Sequence, residues 1–160
     1  MTSTDTEEIM RNKAEIYCAA AERCLSDVTS KLIQWGASPE AMERILSHLL
    51  EERYLDEKRY AQAFVRDKYR FNGWGRLKIA MALRQKGIPN EPIDAGLNEI
   101  DEREYRQTLK ALLQRKRKTV KGKTAYEQNG KLIRLALGKG YEMNEILRVL
   151  KQPTDEDSLE

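Results

Sequence analysis

Three stretches decide the fold once they are laid on their glycines: KLIQWGASPEAMERIL (31–46), ALRQKGIPNEPIDAGL (82–97) and LALGKGYEMNEILRVL (135–150). The shared glycines are Gly36, Gly87 and Gly140, separated by 51 and 53 residues. Eight positions before them stand Val28, Ile79 and Leu132, and four before them Leu32, Leu83 and Ala136. Six positions after them stand Met42, Ile93 and Ile146, and ten after them Leu46, Leu97 and Leu150. Four matched apolar positions in three copies mark an internal repeat. The offsets are helical, and strand alternation is nearly absent. Each glycine closes an apolar run, where a left-handed C-terminal cap belongs.

The copies extend outward from there. Ser38 and Pro39 read as the N-cap and first residue of a helix that carries Met42, Ile45, Leu46, Leu49 and Leu50 on one stripe. Asp56 is a good cap for a helix that buries Tyr60, Ala61, Phe64 and Val65. A helix from about Gly75 to Lys86 places Ile79 and Leu83 together, and Tyr105, Leu109, Leu112 and Leu113 mark another. In each copy one more helix lies upstream, led by Tyr17, Tyr60 and Tyr105. The distance from that tyrosine to the glycine grows from 19 to 27 to 35 residues, which reads as a lengthening loop. The expectation is an all-α chain of three tandem three-helix repeats forming an elongated, curved molecule. The repeats fall at 13–55, 56–101 and 102–152, between disordered tails at 1–12 and 153–160.

Composition agrees. Of 160 residues, 34% are charged, above the ~25% of an average globular chain. That suits thin amphipathic units better than one thick core. No stretch reaches the ~18 apolar residues that a membrane span needs, and the acidic start MTSTDTEEIM does not read as a leader, so a cytoplasmic protein is expected. Cys18 and Cys24, read on one helix, point in different directions and are expected as reduced thiols.

The net charge of +3 conceals an asymmetry. Residues 1–57 carry 6 basic and 12 acidic groups, residues 58–123 carry 18 and 7, and residues 124–160 carry 5 and 7. The middle segment therefore holds a net +11. Two concentrations stand out. One is Arg66, Lys68, Arg70, Arg76, Lys78, Arg84 and Lys86, interleaved with Tyr69, Phe71 and Trp74. The other is RKRKTVKGK at 115–123. Basic and aromatic residues together can hold phosphates and stack bases without reading sequence, and helix packing is an equal reading of the aromatics. An acidic protein surface would also complement such a belt.

Chemistry-bearing motifs are scarce. His48 is the only imidazole. NGWGRLKI (72–79) lacks the third glycine, the lysine–hydroxyl ending and the preceding strand of a phosphate loop. Glu51/Glu52 and Asp56/Glu57 sit at expected helix ends, where capping and the dipole account for them. No catalytic residue, cofactor or metal site is expected.

The stretch YLDEKRYAQAFVRDKYR (54–70) resembles the central signature of the RecX family, bacterial modulators of the RecA recombinase. The signature falls on Tyr54, Leu55, Asp56, Glu57, Arg59, Tyr60, Ala61, Phe64 and Val65. The family's next element, a glycine and a basic helix ending Leu-x-x-Lys-Gly-Ile, falls on Gly75, Arg76, Ile79, Leu83, Lys86, Gly87 and Ile88. A third echo is the turn Lys139-Gly140-Tyr141, where the family usually has Arg-Gly-Phe. The resemblance covers about residues 13–151. It implies a non-enzymatic regulator of recombination, DNA repair and the SOS response; a monomer is expected. Such proteins lie in the groove of the RecA–DNA filament and restrain its growth, ATP hydrolysis and strand exchange. Asp56, Tyr60, Phe64, Gly75, Ile79, Leu83 and Gly87 read as scaffold. Binding to recombinase and to single- or double-stranded DNA is expected from Arg66, Arg70, Arg76, Lys78 and Lys86, and then from Arg115, Lys116, Arg117 and Lys118. Charge reversal at Arg70, Arg76 and Lys78 is expected to remove binding without loss of stability. Two other readings stay open: a general DNA-binding protein of helix-turn-helix-like units, and a helical protein-interaction scaffold.

Overall fold

The structure is a computed structural model and describes residues 3–151. Among the described residues there are nine α-helices and no strand. They are α1 (Ser3–Ala20), α2 (Leu25–Gln34), α3 (Pro39–Glu51), α4 (Glu57–Arg70), α5 (Arg76–Gln85), α6 (Asn90–Asn98), α7 (Glu102–Arg117), α8 (Ala125–Lys139) and α9 (Met143–Lys151). Taken in threes they form the tandem three-helix repeats. Gly36, Gly87 and Gly140 all adopt positive φ, at 86°, 81° and 98°, the left-handed conformation that ends a helix and suits a residue without Cβ. Caps follow the sequence. The Ser38 side chain accepts from Ala41 N–H, Asp56 Oδ1 from Arg59 N–H at 3.0 Å, Asp101 from Glu104 N–H, and Thr124 from Glu127 N–H.

The matched positions account for burial. Val28, Ile79, Leu132, Leu32, Leu83 and Ala136 are fully buried, while Leu46, Leu97 and Leu150 are half-buried in every copy. The first repeat deviates at one site. Met42 is half-buried, and Ile45 and Leu49 carry the core of α3.

Four expectations need correction. Residues 3–12 are helical, not disordered. Met10 and Ala14 are one turn apart on α1 and both are buried, while the Glu7 carboxylate pairs with Arg44 of α3 at 2.7 Å. Asp5 and Glu8, which help to make this stretch look like a tail, face outward. The upstream helix of the first repeat is therefore longer than expected, and Tyr17 stands near its end, whereas Tyr60 and Tyr105 stand near the starts of α4 and α7. The loops grow only from four to five to seven residues. Cys18 and Cys24 are not on one helix, since α1 ends at Ala20; both are free and buried. Finally, Glu51 and Glu52 lie at the C-terminal end of α3, where the dipole opposes a carboxylate. Residues 153–160 lie outside the described residues.

The chain divides into two compact units, and the division runs through the middle repeat. One unit holds the chain up to Arg66 together with Ala82–Gly96, and the other holds Asp67–Met81 and the chain from Leu97. In the first, Met10, Ala14, Cys18, Val28, Leu32, Ile45, Leu49 and Leu55 form the core of α1–α3. There Gly96 of α6 lets the helix approach α4 closely, because a Cβ would stand 3.1 Å from Val65 Cγ2. In the second, the rings of Tyr69, Tyr105 and Tyr141 pack in series, tilted to one another, at 6.0 and 5.1 Å between centroids.

Each unit contains a joint between consecutive repeats, and the two joints correspond. In the second unit the N-terminus of α5 abuts the C-terminal turn of α8. Gly75 N–H donates to the Lys139 carbonyl at 2.7 Å, Leu77 N–H to the Gly140 carbonyl at 2.9 Å, and Arg76 N–H to the Tyr105 hydroxyl at 3.0 Å. Free amides at a helix start thus meet free carbonyls at a helix end. In the first unit the start of α2 meets the C-terminal turn of α5. The Ser26 hydroxyl donates to the Lys86 carbonyl at 2.8 Å, and Leu25 N–H donates to Glu57 Oε1 at 2.8 Å. Lys86 and Lys139 both directly precede their aligned glycine.

Candidate functional site

The expected binding cations divide into those held by the fold and those left open. Arg76 is held. Its guanidinium pairs with Glu142 at 2.9 Å and lies 4.0 Å from the centre of the Tyr105 ring. Tyr105 donates its hydroxyl to the other Glu142 oxygen, and burial, with that acceptor, pushes the Tyr105 phenol far above its usual range. It therefore remains a donor at any ordinary pH. Lys86 is held too, by Asp27 at 3.5 Å. Burial alone would raise the Asp27 carboxyl, but hydrogen bonds from Cys24 and the charge and hydrogen bond of Lys86 outweigh it and hold the group below its ordinary value. Lys78 is half-buried, with its ammonium 4.6 Å from the centre of the Trp74 ring; Lys68 stands 4.9 Å from the same ring.

Arg66, Arg70, Arg115, Arg117 and Lys118 are exposed and Lys116 is half-buried. Arg117 donates to the Asn129 side chain at 2.7 Å, across the 118–124 connection. Scaffold residues are where packing needs them. Ile79 and Leu83 are fully buried and Tyr60 is buried, while Phe64 is only half-buried, with its ring 6.0 Å from that of Tyr60.

Arg70 and Arg115, one from each basic concentration, come together. They line a cleft of about 420 Å³ in the second unit, between the end of α4, the middle of α7 and the turn after α8. Its floor includes Tyr69, Thr108 and Leu112, and Tyr69 is fixed by a 2.9 Å hydrogen bond between its hydroxyl and that of Thr108. Two further residues complete it. Lys139 lines it, with its ammonium 3.5 Å from the Asn72 carbonyl. Phe71, the first residue past α4, also lines it and is 83% exposed. No carboxylate is among the described residues that line it.

Lys139 was legible in the sequence only as part of a turn, because it lies far from both basic runs and α8 brings it in. Of the three interleaved aromatics, Tyr69 packs and Trp74 is half-buried between lysines, so only Phe71 is free for a partner. Three cations beside an open aromatic ring can hold an anion that carries a flat apolar group. Among the described residues no group of His, Cys, Asp and Glu could hold a metal ion, and no helix is long and apolar enough to cross a membrane.

Comparison with known proteins places the family and the fold. Residues 56–97 match a family model for the RecX second three-helix domain, and residues 103–150 one for the third. The chain is 34% identical to the regulatory protein RecX of Clostridium botulinum (strain Alaska E43 / Type E3), over 94% of this chain and 76% of that one. It is 35% identical to the regulatory protein RecX of Pseudomonas fluorescens, over 91% of this chain and 92% of that one. The match spans less of some other relatives, such as 33% of the Lactobacillus johnsonii protein. The fold is similar to the crystal structure of RecX from Lactobacillus salivarius, with a TM-score of 0.84 at 19% identity, over 98% of this chain and 99% of that one. Motif, repeat architecture and near full-length similarity converge, and the chain belongs to the RecX family of regulatory proteins.

Proposed function

We propose that this protein is a cytoplasmic, monomeric regulator that binds the RecA–DNA filament and restrains its growth, ATP hydrolysis and strand exchange. Membership of the RecX family is the observation that carries the reading. The open cations supply the means. Arg70, Arg115, Arg66, Lys116, Arg117 and Lys118 are available to DNA phosphates or acidic recombinase surface, whereas Arg76 and Lys86 serve the fold. A body that binds one filament state better than another shifts the filament toward that state by its difference in affinity. No bond-making chemistry is required.

The test is RecA-dependent ATP hydrolysis on single-stranded DNA, with this protein added up to equimolar recombinase. Turnover is expected to fall. Unchanged turnover, in a preparation shown by its melting curve to be folded, overturns the reading. Sedimentation velocity of the protein alone checks the monomer.

A further inference from the structure

We infer that the cleft between α4, α7 and the turn after α8 is a binding site for single-stranded DNA, in which Phe71 is the platform for a base and Arg70, Arg115 and Lys139 hold the flanking phosphates. Three observations converge. Phe71 is 83% exposed, although phenylalanine is ordinarily among the buried residues, and it opens into a cleft rather than onto a flat surface. The cleft's charged groups are all cations. Its floor is packed, since Tyr69 is buried and tied to Thr108 and Leu112 is buried too.

The occupant follows from that chemistry. A duplex offers phosphates to the cations, but its base faces are stacked on one another and out of reach of the ring. A single strand offers both the phosphate and the open base face, and every base has one, so binding is sequence-tolerant. A volume of about 420 Å³ lies in the range of small-ligand clefts, roughly 300–1,000 Å³, and suits a nucleotide rather than the width of a double helix. The ends of α4 and α8 border the site and their carbonyls disfavour an anion. Lys139 answers this directly, because its ammonium lies against the Asn72 carbonyl at the end of α4. That the strand is DNA rather than RNA rests on the filament reading; the site itself rests on the cleft.

The experiment is fluorescence anisotropy of labelled oligo(dT), and of a duplex of the same length, with the full chain. The wild type is expected to bind the single strand more tightly. Phe71→Ala should weaken oligo(dT) binding about tenfold, Phe71→Tyr should retain it, and neither should alter duplex binding. Arg115→Gln and Lys139→Gln should each lower the salt slope of single-strand binding by about 0.7. Phe71 is exposed, so its variants should melt with the wild type. Oligo(dT) affinity that survives Phe71→Ala combined with Arg115→Gln overturns the site, as does an equal loss of duplex binding on Phe71→Ala. RecA-dependent ATP hydrolysis is measured in parallel. Inhibition without oligo(dT) binding sinks the cleft and leaves the filament reading standing, and oligo(dT) binding without inhibition does the reverse.

Discussion

At the scale of single residues, glycines and arginines show how differently the same residue type can be used. Gly36 and Gly87 have positive φ but open space where a Cβ would stand, so Gly→Ala there costs only the left-handed conformation, roughly 1–2 kcal/mol. Gly75 is the converse. A Cβ on it would stand 2.5 Å from the backbone carbonyl carbon of Gly140, and one on Gly140 would stand 2.3 Å from Lys78 Cβ. Urea unfolding of Gly75→Ala is expected to show a loss of about 3 kcal/mol or more, clearly larger than for Gly36→Ala, because backbone must move to make room. Arg76 revises the expectation about charge reversal. Its removal leaves the half-buried Glu142 without its cation, so Arg76→Gln should cost about 1–3 kcal/mol in the same assay. Arg70→Glu should leave the melting temperature where it is, because Arg70 is exposed at the helix end. A variant that reverses Arg70, Arg76 and Lys78 together therefore confounds binding with folding.

At the scale of elements, the joint between repeats is built twice by different means. In the second unit its core is backbone to backbone, from the start of α5 to the end of α8, and those hydrogen bonds do not titrate. In the first it relies on side chains, Ser26 and Asp27 from α2 reaching the carbonyl and the ammonium of Lys86, just past α5. Asp27 titrates, and its folded-state carboxyl is held below the ordinary value near 3.9. Its contribution is therefore fully present above about pH 4 and is lost as pH falls through the lowered folded value. Asp27→Asn is expected to be less stable than wild type at neutral pH, with the two melting temperatures converging below about pH 4. Glu57 acts in the opposite sense, because burial raises its carboxyl despite the hydrogen bond from Leu25; protonation of Glu57 on acidification favours the folded state, and a Glu57→Gln background isolates the Asp27 effect. Caps are simpler. Thr124→Ala removes the acceptor for Glu127 N–H and should cost about 1 kcal/mol. Much of this level was legible in advance, since Ser38, Asp56 and the three closing glycines are local signals that act within a turn of where they stand. The start of α1 was not legible, because its only inward signals are Met10 and Ala14 in an acidic, polar stretch, and both need α2 and α3 to pack against.

At the scale of the whole molecule, charge is distributed by segment, with a net +11 over residues 58–123 and acidic excess before and after. Cosedimentation with a preformed RecA–DNA filament is expected to weaken steeply as salt rises, and Arg70→Glu with Arg115→Glu should release the protein while its melting temperature stays unchanged. By itself the sequence determined that the chain is helical and that it repeats three times. Apolar period, capping residues and glycines with positive φ are short-range effects, written within a few residues of where they act. It also determined the family, through the run from Tyr54 to Arg70. Which cations are free was decided only by tertiary structure. Arg76 meets Glu142 across 66 residues and Lys86 meets Asp27 across 59, so a charge that looks exposed in the chain is spent in the fold. The cleft is likewise tertiary, since Arg70, Arg115 and Lys139 lie on three helices that only packing brings around Phe71.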